Sequence, residues 1–178
     1  MNTDRDVKVI ITGAADIDKY MLADRLAEMM PGMKVADMCT TDRTAAGGHM
    51  RYMDPGTVGL SYKNNALICV ASHDSISECM TFDDFDASDI AVMSMEQFNM
   101  TADYVFQKYD VLTVWLDFPH EGHTDRLMTE TKYMSERLDL LKYMYFNEDE
   151  PDVICRRIYE YVNAEGANEK NRLLAENS

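Results

Sequence analysis

A run of β-branched residues, Val7-Lys8-Val9-Ile10-Ile11, leads straight into Gly13, and an amphipathic stretch follows from Asp18 to Met30. The run is apolar almost throughout, which predicts a strand buried on both faces, as in a parallel sheet. In the second stretch Met21, Leu22, Leu26 and Met29 recur at helical spacing, and Pro31-Gly32 ends it. A strand–glycine–helix opening constrains the chain more than any other feature, because a parallel strand must be followed by a crossover that returns over the sheet.

The junction invites comparison with the phosphate-cradling pattern G-x-x-x-x-G-K-[ST]. It reads Gly13-Ala14-Ala15-Asp16-Ile17-Asp18-Lys19-Tyr20. The first glycine and the lysine are present. Asp18 stands where the second glycine belongs, and Tyr20 stands where a hydroxyl would reach Mg²⁺.

The rest of the chain keeps the alternation. Strands are expected over 33–38, 66–71, 90–93, 111–118 and 144–146. Helices are expected over 95–109, 124–143 and 151–162, the last with Pro151 near its first position. Residues 40–65, rich in Gly, Asp, Thr and Asn, read as irregular, and 163–178 as a polar, fraying tail. Such alternation implies a three-layer α/β domain around a parallel sheet. At 178 residues a single domain is expected.

Composition narrows the function. A formal net charge of −15 disfavours nucleic acid and anionic membrane as partners, since both repel such a surface. No apolar run is long enough to span a bilayer, and the first residues lack the pattern of a signal peptide, so the cytoplasm is the expected location. Cys39, Cys69, Cys79 and Cys155 lie far apart and read as buried free thiols. Fifteen methionines read as adaptable core filling, with an apolar binding surface as the alternative. His120 and His123 are spaced H-x-x-H without a third ligand nearby, and Asp83, Asp84 and Asp86 lack a calcium-loop spacing, so no metal set is expected from them. Trp115 reads as core.

The order of these pieces resembles the guanylate kinase family of nucleoside-monophosphate kinases. Ile11-Thr12-Gly13 through Lys19, with Leu22 to Glu28, is similar to that family's P-loop and first helix. Cys39-Thr40-Thr41-Asp42-Arg43 resembles its T-T-R acceptor motif, and Asp89 to Ser94 falls at its Walker B strand. Asp125-Arg126-Leu127 through Arg137-Leu138 is similar to the lid, and Tyr145-Phe146-Asn147-Glu148-Asp149 resembles the late strand that packs near the adenine. The resemblance implies a P-loop NTPase-like domain over 1–178, with a reduced monophosphate-binding subdomain at 40–88 and a short lid at 119–135. It implies Gly13, Lys19 and Asn147 as nucleotide contacts, and Lys19, Arg126 and Arg137 as catalytic cations. Thr40, Thr41, Arg43 and Arg51 would bind the acceptor, and ATP with Mg²⁺ would be the cofactor of an active form.

Four departures fall on phosphate or metal positions: Asp18, Tyr20, Asp42 in place of the T-T-R arginine, and Ser94 in place of the Walker B aspartate. A carboxylate ~4 Å from a phosphate charge is repelled by about 4 kcal/mol at an effective dielectric of about 20. Two functions therefore stand. One is a degenerate relative that has lost efficient phosphoryl transfer and works as a binding or structural protein with a protein partner; binding of a nucleotide without turnover lies between it and the next. The other is an active ATP-dependent (deoxy)nucleoside-monophosphate kinase with unusual loop chemistry.

Overall fold

The computed structural model describes residues 7–13, 18–116, 142–146 and 150–176, with side chains throughout except for 142–146 and 165–176. β1 (Val7–Gly13) lies at the centre of a parallel sheet between β6 (Ile90–Val92) and β7 (Asp110–Leu116), with β8 (Lys142–Phe146) beyond β7. Val9 and Ile11 pair with Ile90 and Val92 on one side and with Leu112 and Val114 on the other.

Alternation along β1 feeds two cores, one on each face. Val9 and Ile11, with Leu112, Val114 and Leu116, pack under α1 (Lys19–Met29) and α5 (Pro151–Glu176) through Leu22, Leu26, Ile154 and Ile158. Ile10, Ala91, Met93, Val111 and Trp115 face the opposite way, onto Phe98 and Val105 of α4 (Met95–Lys108). The chain is thus layered helix–sheet–helix. Trp115 is core, as its place in the sequence predicts, and its Nε1 has no hydrogen-bond partner among the described residues.

A second four-stranded sheet lies over the α4 side. Its order is β3 (Met50–Tyr52), β2 (Met38–Thr40), β5 (Ile76–Thr81), β4 (Leu67–His73). β2 runs parallel to β3 and antiparallel to β5, and β4–β5 is a hairpin. Its tight turn places Asp74 at φ 56, a conformation aspartate tolerates better than most residues. Two short helices frame this sheet. α2 (Pro55–Lys63) starts at Asp54, whose carboxylate accepts from Thr57 N at 3.0 Å, with proline in the first turn. α3 (Phe82–Asp86) is capped by Thr81.

Several sequence expectations change here. Residues 33–38 form no full strand. Val35 makes a single parallel bridge to Ile90, and β2 begins only at Met38. The stretch 40–65 contains β3 and α2, because the Asp54-Pro55 start outweighs the surrounding glycines. Lys142 and Tyr143 belong to β8 rather than to a helix; the rest of the expected 124–143 helix lies outside the described residues. α5 continues to Glu176, through most of the segment expected to fray.

Two features explain how polar groups survive inside. Lys8 is buried on β1, and its ammonium donates to the carbonyl oxygens of Phe85 (2.8 Å), Asp86 (3.4 Å) and Ser88 at the end of α3. It also sits over the rings of Phe85 and Tyr109. A buried cation is tolerable only with such a shell. Methionine sulfurs supply acceptors elsewhere: Thr12 Oγ1 reaches Met95 Sδ at 3.5 Å, Gln97 Nε2 reaches Met38 Sδ at 3.7 Å, and Thr101 Oγ1 reaches Met93 Sδ at 3.7 Å. These methionines fill the core and also serve as weak acceptors there.

Replacing Lys8 with methionine keeps the bulk but takes one donor from each of three carbonyls, of which Phe85 O keeps the N–H and hydroxyl of Ser88. We expect a loss of about 3 kcal/mol in urea unfolding. A loss below about 1 kcal/mol would mean that this shell is not what joins α3 to the sheet.

Candidate functional site

The candidate site is the mouth formed where β1 and β6 end and α1 begins. Gly13 closes β1 with φ +130, in a region that favours glycine. An added Cβ there would lie 2.1 Å from the carbonyl oxygen of Leu116 on β7. Close passage of the neighbouring strand therefore already requires glycine at this position, whether or not a phosphate ever approaches it.

Five residues later Asp18 is the N-cap of α1. Its Oδ1 accepts a hydrogen bond from Met21 N at 2.9 Å, and its carbonyl accepts from Leu22 N at 3.4 Å. The first turn of a helix carries unpaired N–H donors and a partial positive charge, which is what makes it an anion seat. Here a side-chain carboxylate of the same chain holds one of those donors. Lys19 is the first helical residue and is half-buried.

Tyr20 turns away from the mouth. Its ring packs against both cores and stacks on His49 with ring centroids 5.3 Å apart and 13° between planes. Burial, reinforced by the Glu78 charge, pushes the phenol far above its usual pKa, so it stays protonated. His49 Nε2–H donates to Asp24 of α1 at 2.6 Å, and Nδ1 lies 3.6 Å from Asp37. Tyr20, His49 and Asp24 together tie α1 to the loop that precedes β3.

Ser94, beside the end of β6, caps α4. Its hydroxyl accepts from Gln97 N at 3.2 Å while Gln97 Oε1 accepts from Ser94 N at 2.9 Å, a complete capping box. Met95 fills the space beneath it against the buried Thr12.

The T-T-R-like segment leaves β2 in the second sheet. Thr40 is buried and its hydroxyl accepts from Asp42 N at 3.1 Å. Thr41 Oγ1 accepts from Ser77 N at 2.8 Å. Asp42 Oδ1 accepts from both the hydroxyl and the N–H of Thr44, each at 2.8 Å, which lowers its pKa. Arg43 lies over the Tyr52 ring at 4.8 Å. Arg51 bonds Asp84 at 2.8 Å and reaches Cys39 Sγ at 3.4 Å. Arg126, Arg137 and Asn147, like His120 and His123, lie outside the described residues. Among the described residues no group of three or more His, Cys, Asp or Glu is placed to hold a metal ion.

The structure thus gathers Gly13, Asp18, Lys19 and Ser94 at one end of the parallel sheet. Thr40, Thr41, Arg43 and Arg51 lie on the second sheet. Sequence reasoning missed the His49–Asp24–Asp37 node and the opposition of Cys39 and Cys79. Both depend on strand pairings with no local signature.

The comparisons agree with this architecture. No protein-family model matches the chain, and no curated protein matches it. Among solved structures, the crystal structure of guanylate kinase from Anaplasma phagocytophilum is similar, with a TM-score of 0.62 at 14% identity over 90% of this chain and 86% of that one. At that identity the likeness shows the fold, a P-loop NTPase-like α/β domain.

Three substitutions check these assignments. Gly13→Ala should cost about 3 kcal/mol or more, since β7 must move. Asp18→Ala should cost about 1 kcal/mol and Asp18→Asn much less, since asparagine also caps. Equal losses for Asp18→Ala and Asp18→Asn in urea unfolding would rule out capping as the work of Asp18.

Proposed function

We propose that this chain is a guanylate kinase-like P-loop protein that has lost efficient phosphoryl transfer and acts in the cytoplasm as a binding or structural protein with a protein partner. The observation that carries this reading is the bond from Met21 N to Asp18. A bound triphosphate would need the N–H donors of that helical turn and would meet a carboxylate already on them.

The neighbouring positions support the same reading. Mg·ATP chemistry rests on positioning and charge neutralisation, with a hydroxyl and an acidic residue holding the metal. Tyr20 is stacked on His49, and Ser94 is engaged in its capping box. Asp42 carries negative charge where the acceptor phosphate would want an arginine, and Arg51 is paired with Asp84. These residues do not fit a bound Mg·ATP, and no catalytic step is assigned to them. No helix among the described residues is long and apolar enough to cross a membrane, and the net charge of −15 disfavours nucleic acid.

A second reading, an active ATP-dependent nucleoside-monophosphate kinase, draws on Gly13 and on Lys19 at the first position of α1. Arg126, Arg137 and Asn147 would complete it, with Thr40, Thr41, Arg43 and Arg51 on the acceptor.

Thermal melting separates the two. A ligand at 100 times its dissociation constant adds about 2.7 kcal/mol, a shift of several degrees. We expect no shift with millimolar Mg·ATP, GMP or dTMP, and the same melting behaviour for Lys19→Ala. A nucleotide-dependent rise that Lys19→Ala abolishes would overturn the proposal in favour of the kinase.

A further inference from the structure

Cys39 and Cys79 face each other across the second sheet. They are direct partners in the antiparallel β2–β5 pair. Directly opposed residues have Cα atoms about 4.5–5.5 Å apart, within the ~4.4–6.8 Å that a disulfide spans. The two side chains belong to one small buried cluster. Both are free, and the cluster, which also holds Val58 of α2, lies apart from the two main cores. The Arg51 guanidinium reaches Cys39 Sγ at 3.4 Å from the edge strand β3, and its side chain is half exposed.

We propose that Cys39 and Cys79 form an oxidative modification site, a dithiol that a peroxide converts to a cross-strand disulfide. The Cys39 thiolate attacks one peroxide oxygen. The S–O bond forms, the O–O bond breaks, and hydroxide leaves and is protonated. The Cys79 thiol then loses its proton and its sulfur attacks Cys39. The S–S bond forms, the S–O bond breaks, and water leaves. Two thiols are oxidised by two electrons, and one peroxide is reduced to two waters.

Three observations select this pair. The opposed Cys79 and the Arg51 guanidinium, 3.4 Å from Cys39 Sγ, hold the Cys39 thiol below its ordinary pKa and so favour its thiolate. Burial pushes Cys69 up to about 12 and Cys155 up to about 11, which leaves both as inert thiols. The pair is fully buried, so peroxide reaches it only when its cover opens; α2 contributes Val58, its one buried residue, to that cover, and a helix so weakly anchored opens at low cost. The charged and titratable groups facing Cys39 are Arg51 of β3, Cys79 of β5, Asp84 of α3 and Tyr20 of α1, with Cys69 of β4 acting on Cys79.

The test uses the full chain in native buffer. After hydrogen peroxide, the protein is denatured and its remaining thiols are alkylated and mapped. We expect the four thiols to fall to two, with Cys39 and Cys79 recovered as one crosslinked peptide and a mass lower by about 2 Da. In Cys79→Ser, dimedone should trap a sulfenic acid on Cys39. In the wild type, native alkylation of Cys39 should reach its plateau at a lower pH than that of an ordinary thiol, and Arg51→Met should slow it about tenfold. Four intact thiols after peroxide, or oxidation confined to Cys69 or Cys155, would overturn the proposal, and this outcome requires no variant to fold.

Discussion

The first turn of a helix has donors pointing along its axis and no backbone acceptors for them, so whatever anion reaches them first holds the position. In this chain that anion is the Asp18 carboxylate on Met21 N. The contact is local, joins residues three apart, and needs no ligand. It stabilises α1 by about 1 kcal/mol, enough to fix the start of the helix against β1 without any phosphate. The other three departures from the phosphate-binding pattern have also acquired structural partners. Tyr20 stacks on His49, Asp42 turns back on Thr44, and Ser94 caps α4. Residues that a kinase would present to substrate are here engaged with the protein itself.

The same economy runs through the interior. A chain with this many methionines could have placed them on a binding face. Met38, Met93 and Met95 instead lie inside, where their sulfurs accept from Gln97, Thr101 and Thr12. Lys8 satisfies the end of α3 from within the central strand, and so links the segment carrying Phe85 to the parallel sheet. Burying such groups is tolerable because each has an acceptor or donor at hand. Some methionine surface does remain, at Met21, Met29 and Met100, though it is scattered over α1 and α4.

Much of the fold was legible because its signals are local. A continuous apolar run marked β1, helical spacing of Leu22 and Leu26 marked α1, and Ser94 followed by Gln97 announces the start of α4. Of the second sheet, β4 was legible as the apolar run 66–71, and the rest was not. β5 alternates weakly, with Glu78 between Ser77 and Cys79, and it is a strand because β4 and β2 flank it. α2 hid among glycines because Asp54-Pro55 is a short signal beside Gly56 and Gly59. At the site, the identity of each departure could be read from sequence, but its orientation could not. Whether Asp18 faces a phosphate or its own helix is decided by a side-chain torsion, and Tyr20 finds His49 only through tertiary packing.

The most direct measurement is the ¹⁵N–¹H spectrum of the labelled protein during a titration with Mg·ATP. If Asp18 holds the helix start, the Met21 amide should stay in place up to ~5 mM nucleotide, well above the affinities typical of working enzymes. A saturable shift centred on Gly13, Lys19 and Met21 would contradict the account, because it would mean that nucleotide displaces the cap and that the cradle still works.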